Sequence, residues 1–162
     1  MTELDPDLRK RVLRQFTYGL YAVSAVHEDE RGIFTANWLT QVSFDPPLIA
    51  VSIERDSSTL PIILASGRVA ISTLAEGDRE LAGALGRPKV RAGDKLALLG
   101  DEIVTVGGIP VPARALGAAV CTVRSVTEAG DSRLVLGEVI ELHAIREGEP
   151  LTMRAAGFRH AG

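Results

Sequence analysis

The sequence predicts a mainly β protein with a few short helices, arranged as an antiparallel barrel rather than a doubly wound sheet. About seven short runs of apolar and β-branched residues are separated by turn residues, and no regular helix lies between each pair. The chain also has 16 glycines and 8 prolines, which suit the tight corners of a small barrel. With 162 residues it is long enough for one buried core, so we expect a single domain over residues 1–162.

The first predicted element is a short amphipathic helix over residues 5–16. Asp5 can accept hydrogen bonds from the first turn, and Pro6 suits the first helical position. Helical spacing places four apolar residues on one side, namely Leu8, Val12, Leu13 and Phe16.

The later elements follow from the same kind of local signal. Apolar and β-branched runs bounded by turn residues predict strands, and capped apolar runs that end at glycine predict helices. The predicted strands are 17–28, 33–36, 48–53, 68–73, 103–106, 109–112, 115–126 and 132–145, and the predicted helices are 56–67 and 77–86. Pro46-Pro47 is expected to prevent regular strand pairing. In the last strand, alternation predicts one shared face for Leu134, Leu136, Glu138, Ile140 and Leu142.

Composition excludes several functional classes. The net charge is −3 and no cluster of Lys and Arg forms a track for a phosphate backbone, so nucleic acid is not an expected partner. No apolar stretch reaches the length of about 18 residues that a membrane span needs, and the N-terminus lacks an apolar signal segment, so we expect a cytoplasmic protein.

The reactive side chains predict neither a metal site nor a catalytic triad. Cys121 is the single cysteine, which rules out an intrachain disulfide, and its strand-like surroundings predict a buried, unreactive thiol. The three histidines lack metal-ligand spacing, and the G-x-S-x-G motif is missing. We therefore expect no catalytic side chain of these kinds.

One stretch, "TANWLTQVSFDPPLIAVSIERDSST" at 35–59, is unusually rich in polar groups around an apolar strand. We interpret residues 35–43 as an irregular rim that offers donors and acceptors to the edge of a flat heterocycle. Its candidate contacts are Thr35, Asn37, Trp38, Thr40, Gln41 and Ser43.

Downstream, Arg55 precedes Ser57, Ser58 and Thr59 at the start of a predicted helix, which is a pattern typical of anion binding. The rim and this anion-binding segment together can hold the ring and the phosphate of a flavin mononucleotide. The same hydroxyls can instead serve only as helix caps. Neither G-x-G-x-x-G nor G-x-x-x-x-G-K-[ST] occurs, which disfavours a Rossmann or P-loop nucleotide site.

The run from Gly32 to Thr59 resembles the signature of the flavin reductase-like, FMN-binding split-barrel family, in a form with Asn-Trp that is similar to its flavin and ferric reductase-like subgroup. "FTYGLYAVSA", "SGRVAISTL", "LVLGEVIELH" and "PLTMRAAGFRH" extend the resemblance over nearly the whole chain. It implies a six-stranded antiparallel Greek-key split β-barrel. It also implies a homodimer with FMN near the interface.

The resemblance further implies roles for individual residues. Thr35, Ala36, Asn37 and Trp38 are expected to contact the flavin largely through their backbone, with Gln41 and Ser43 on the same edge. It places the flavin phosphate at Arg55, Ser57 and Thr59, with Ser58 at a variable position, and it adds Arg87 and Arg154 as weaker candidates for phosphate or ring contacts.

The implied function is an oxidoreductase in which NAD(P)H reduces bound FMN, and electrons pass to free flavin, ferric iron or a monooxygenase partner. Ser132 stands where many relatives have a histidine that seats the nicotinamide, so the electron donor remains open. An electron carrier without its own nicotinamide site is the alternative, and FAD or a deazaflavin are the alternative cofactors. The flavin carries the redox chemistry, so no protein acid or base is required.

Overall fold

The computed structural model describes residues 3–89 and 93–161, and in these ranges the chain is mainly β with short helices. The helices are α1 (Pro6–Leu13), α2 (Leu60–Ser66), α3 (Arg79–Leu85) and α4 (Met153–Ala156), with a 3-10 turn at Ala97–Leu99. None of these described helices has the length and apolar character needed to cross a membrane.

The described part of the chain contains nine strands. They are β1 (Tyr21–His27), β2 (Glu30–Ala36), β3 (Leu39–Phe44), β4 (Pro47–Glu54), β5 (Arg68–Thr73), β6 (Ile103–Val106), β7 (Ile109–Pro112), β8 (Gly117–Ala129) and β9 (Ser132–Ala144). Seven of them form one sheet in the order β2-β1-β5-β8-β9-β4-β3, and β6 pairs only with β7. The expected strand number of six for the split barrel is therefore wrong. The sheet is not closed, because no backbone pairing joins the edge strands β2 and β3 in the described chain.

The sheet curls around one apolar cluster to which all seven strands contribute. Val23, Val51, Val69 and Val135 lie in it and are almost fully buried. Helix α2 closes the cluster with Ile63. Burial of these side chains stabilises the curled sheet by roughly 1.5–3 kcal/mol for each side chain, before conformational entropy is counted.

Two further clusters cover parts of the outer surface. In one cluster, residues of α3, the 3-10 turn and the C-terminal segment pack against Ala22 of β1 and Ile33 of β2 on the outer side of the sheet. The other packs the β6–β7 hairpin over Ala70 of β5 and Val120 of β8. The outer side of β4 and β9 belongs to none of the clusters that the described residues form.

The local signals placed several elements well, and β5, β6 and β7 have the predicted bounds. The polar segment after residue 38 was wrongly predicted as irregular, because it is strand β3. Its pairing partner is β4, with Gln41 opposite Ile49 and Phe44 opposite Pro47. Pro46-Pro47 therefore does not prevent pairing. The two prolines stand at the hairpin end, where a missing N–H is tolerated.

The predicted single face of β9 is correct only for its first half. Leu134, Leu136 and Glu138 pair with β4 and lie on one side. Ile140 is then skipped in the pairing with β8, since Val139 lies opposite Cys121 and Glu141 opposite Val120. A bulge at Ile140 reverses the alternation, so Leu142 lies on the other side of the sheet.

The first helix is shorter than predicted and packs little against the rest of the chain. Asp5 caps it as expected, accepting hydrogen bonds from the N–H groups of Asp7 and Leu8 at 2.9 and 2.8 Å. No residue of α1 is buried, and Phe16 lies beyond its end with 59% of its surface exposed. The apolar side that the sequence predicts therefore remains at the surface.

Cys121 is fully buried, and burial raises the pKa of its thiol to about 11. Because alkylation needs the thiolate, we expect iodoacetamide to leave the folded protein unmodified for hours at about pH 8. The same reagent should label the protein completely in denaturant, as mass spectrometry would show. Rapid labelling of the folded protein would contradict this position of Cys121.

Candidate functional site

A pocket of about 730 Å³ lies where the end of β2, the turn after β4, the end of α3 and the C-terminal segment meet. This volume is in the range of small-molecule sites. Its lining contains apolar and aromatic side chains, and it also contains cationic and hydroxyl-bearing side chains. The principal lining residues are Phe34, Thr35, Ala36, Asn37, Trp38, Ser52, Glu54, Asp56, Ser57, Ser58, Gly86, Arg87, Lys89, Lys95, Met153, Phe158 and His160.

The structure brings together seven of the twelve residues that the sequence singled out. They are Thr35, Ala36, Asn37, Trp38, Ser57, Ser58 and Arg87. Two segments that are separated in sequence by the two strands β3 and β4 thus meet at one pocket, together with the residue that follows the end of α3.

The first of these segments builds the pocket wall. The Thr35 hydroxyl donates a hydrogen bond of 2.7 Å to the Ala82 carbonyl, which ties β2 to α3. The Asn37 amide nitrogen lies 3.0 Å from both the His160 carbonyl oxygen and the Met153 sulfur. The polar groups of both side chains are therefore already engaged in holding neighbouring elements.

Three cationic side chains lie at one part of the pocket, namely Arg87, Lys89 and Lys95. Lys95 is buried, and its ammonium group donates to the carbonyl oxygens of Leu85 and Arg87 at 2.7 and 3.1 Å. Desolvation by burial lowers its pKa. Among the described residues, Arg87 and Lys89 form no ion pair, so their charges are available to an anion.

The structure does not place the other five predicted residues in the pocket lining. Arg55 is paired with Glu128 across the β8–β9 end of the sheet. Thr59 is buried against β2, where a Cβ on Gly32 would lie 2.6 Å from its hydroxyl oxygen. Helix α2 has no side-chain cap from Thr59.

Gln41 and Ser43 lie further along β3, an edge strand, where the Gln41 amide donates to the Ser43 carbonyl at 3.1 Å. Arg154 lines a different cavity, between the C-terminal segment and the residues after α1. Some residues that are close to the motif in sequence therefore lie outside the pocket lining.

Sequence reasoning missed the wall supplied by Met153, Phe158 and His160. The Trp38 and His160 rings lie 5.6 Å apart, and the His160 Nε2 atom lies 3.4 Å from a Glu54 carboxylate oxygen. The signal was the closing segment "PLTMRAAGFRH", from which the sequence analysis took only Arg154 as a candidate. Lys89, in "GRPK", was missed although it stands two residues after Arg87.

Ser132, the position of the expected histidine, is buried at the start of β9. Its hydroxyl donates to Asp131 at 3.0 Å, and its strand partner is Glu54. The imidazole that lines the pocket is instead that of His160. Over residues 3–89 and 93–161, no group of three or more His, Cys, Asp or Glu residues is arranged to hold a metal ion.

The residues present fit a flavin. The aromatic and apolar lining suits a flat ring, and Arg87 and Lys89, which form no ion pair among the described residues, suit a phosphate. A curled, mainly β sheet with such a pocket defines a class of protein that binds a planar, anionic cofactor.

Comparison with known proteins identifies this class. The family described as "Flavin reductase like domain" matches residues 13–162. The chain belongs to the flavin reductase-like family and is an oxidoreductase of that type.

Three relatives illustrate the match. An "NADH-dependent flavin reductase" of Rhodococcus sp is 35% identical over 169 aligned positions, covering 97% of this chain and 89% of the relative. The reductase component of 4-hydroxyphenylacetate 3-monooxygenase of Thermus thermophilus is 32% identical, with 93% of each chain covered. The crystal structure of a nitrilotriacetate monooxygenase component B from Mycobacterium thermoresistibile has a TM-score of 0.80 and 31% identity, covering 90% of this chain and 82% of that one. The chain spans 62% of the length of another relative, the "High molecular weight rubredoxin" of Moorella thermoacetica.

Proposed function

We propose that this protein uses NAD(P)H to reduce a flavin held in the pocket at the end of β2, and that the reduced flavin serves a partner monooxygenase. The observation that carries this proposal is the combination of a ring-sized apolar wall with unpaired cations in one pocket. Two of the relatives named above are monooxygenase components, which supports the partner.

In this proposal the protein binds and orients while the flavin supplies the hydride and electron chemistry. Thr35, Ala36, Asn37 and Trp38 present backbone groups to the ring edge. Arg87 and Lys89, with the hydroxyls of Ser57 and Ser58, hold the phosphate. FMN is the smallest flavin that has both a ring and a phosphate for these residues to bind. Free flavin and ferric iron are the alternative electron acceptors.

The test of the proposed function begins with the absorption spectrum of the protein after addition of flavin, compared with that of any cofactor extracted from it. A bound flavin, rather than a deazaflavin, is expected. Anaerobic stopped-flow mixing with NADH and with NADPH should then bleach the visible flavin band. Absence of bleaching with both donors would favour the electron carrier, which the serine at position 132 also favours.

We propose further that the protein forms a homodimer through the outer side of β4 and β9. Ser52 faces Leu134 and Ala50 faces Leu136 in the strand pairing, so these side chains share one surface that no cluster of the described chain covers. Leu134 is 41% exposed. Ser52 also lines the flavin pocket, so the interface would adjoin the site.

The dimer proposal predicts that Leu134→Glu shifts the protein from dimer to monomer, since burial of a charge on a subunit interface is strongly unfavourable. Leu98→Glu is the matched control, because Leu98 is 55% exposed on the 3-10 turn, away from this surface. Light scattering after size-exclusion chromatography would measure both. A dimer that survives Leu134→Glu unchanged would contradict this interface.

A further inference from the structure

Lys95 is a buried cation at the wall of the proposed flavin pocket. Buried lysines are nearly always paired with a carboxylate, yet Lys95 forms no ion pair within the described chain. Its ammonium group donates instead to two backbone carbonyl oxygens, that of Leu85 at 2.7 Å and that of Arg87 at 3.1 Å. Desolvation lowers the pKa of Lys95, so the fold keeps this cation at a cost.

Both acceptors lie at the C-terminal end of α3. Leu85 is the last residue of this helix, and Arg87 follows two residues later. The last carbonyl groups of a helix lack partners inside the helix, and a cation close to them is stabilising. The last turn of α3 contains no basic residue, so Lys95 supplies this charge from a later part of the chain. Its ammonium group thereby fixes the backbone between the end of α3 and Arg87.

The side chain that depends on this backbone is that of Arg87, which lines the pocket. Lys95 bonds to the carbonyl group of Arg87 itself, so it holds the peptide from which the guanidinium extends. A long, flexible side chain binds an anion more tightly when its backbone is already fixed, because less entropy is lost on binding. The bond from Lys95 thus favours phosphate binding by Arg87.

Lys95 is itself held by the residues on either side of it. The carboxylate of Asp94 pairs with Arg31 of β2 at 2.9 Å, and the Arg31 guanidinium holds the pKa of Asp94 below its usual value. Asp94 also accepts a hydrogen bond of 3.1 Å from the N–H group of Leu96, whose side chain is buried in the outer cluster with α3. Lys95 therefore links the end of α3 to a segment that is anchored on β2.

We infer that Lys95 is a positioning residue for flavin binding, which holds the end of α3 so that the Arg87 guanidinium meets the flavin phosphate. This inference rests on the proposed flavin site. The competing role is direct contact of Lys95 with the phosphate, since its side chain also lines the pocket. The two roles differ in one measurable respect. A residue that acts through Arg87 has no effect once Arg87 is removed, whereas an independent phosphate ligand contributes in both backgrounds.

The test is a double-mutant cycle of Lys95→Met and Arg87→Ala, with FMN and riboflavin affinities measured by calorimetric titration. Riboflavin has the same ring as FMN and no phosphate. We expect Lys95→Met to weaken FMN binding by about tenfold and to leave riboflavin binding unchanged. In the Arg87→Ala background the same substitution should change FMN binding by less than about twofold. Lys10→Met, at an exposed lysine of α1, is the matched control and should change neither affinity.

A tenfold loss in both backgrounds would overturn the inference and make Lys95 a direct phosphate ligand. Equal losses of FMN and riboflavin affinity in Lys95→Met would also overturn it, since Lys95 would then support the fold as a whole. If circular dichroism shows that Lys95→Met is unfolded, Lys95→Gln replaces it in the cycle, because its amide group still donates hydrogen bonds. A smaller loss that vanishes without Arg87 is then expected, and an additive loss would again overturn the inference. Failure of the wild type to bind FMN would refute the proposed function, and this inference with it.

Discussion

Replacing Arg87 with alanine is expected to weaken FMN binding by about ten- to a hundredfold, while Arg154→Ala leaves it unchanged. Arg87 lines the proposed flavin pocket without an ion-pair partner among the described residues, so its guanidinium is free to bind a phosphate. A hydrogen bond to a charged group contributes about 1.5–3 kcal/mol, which corresponds to this range of affinities. Calorimetric titration with FMN measures the effect.

Arg154 is the matched control because the sequence suggested both arginines and only the structure separates them. Arg154 lines the cavity on the other side of Met153 and Phe158. Arg87→Lys should recover part of the lost affinity, since it keeps the charge but loses the two-pronged contact. Equal losses in Arg87→Ala and Arg154→Ala would show that net charge, and not the pocket, controls binding.

The largest loss of stability is expected for Asp78→Ala, by about 2–4 kcal/mol in the free energy of unfolding. The Asp78 side chain is 1% exposed and forms an ion pair of 2.7 Å with Arg114, with Arg146 at 3.6 Å. It also accepts a hydrogen bond of 3.2 Å from the Ala75 N–H. Removing a buried charge leaves these partners unsatisfied, although the arginines are partly exposed and recover some hydration.

Urea denaturation measures this change, with Glu128→Ala as the control. Glu128 pairs with Arg55 and Arg133, but both sides of each pair are exposed, so less than about 1 kcal/mol should be lost. Asp78 immediately precedes α3, whose end carries Gly86 and Arg87 to the pocket. A folded Asp78→Ala protein should therefore also bind flavin more weakly. Equal stability losses in the two variants would contradict the role given to Asp78.

Much of the fold is predictable from the sequence because its signals are local. The β6–β7 and β8–β9 hairpins follow from apolar and β-branched runs around glycine turns, and the β1–β2 hairpin follows from such runs around a polar turn. β3 was missed because its hydroxyl and amide side chains do not alternate with apolar ones. It is a strand because β4 supplies its hydrogen-bond partners.

The candidate site, too, was predictable only where its residues are close together in sequence. The motif of residues 35–38 and the pair Ser57 and Ser58 were predicted together and do line one pocket. Lys89, Lys95 and the C-terminal wall were not predicted, since their approach depends on α3 and on the packing of the tail. Arg55 resembles a phosphate ligand in sequence, but Glu128 pairs with it in the fold.

The sequence by itself determined the mainly β class, most strand positions, the family resemblance and one side of the pocket. These properties depend on the order of neighbouring residues, through side-chain alternation, turn residues and a contiguous motif. Only the tertiary structure decided that the sheet stays open between β2 and β3, that β9 changes face at Ile140, and that Arg87 rather than Arg154 lines the candidate pocket. Each of these outcomes depends on distances between residues far apart in the chain, which local patterns do not encode.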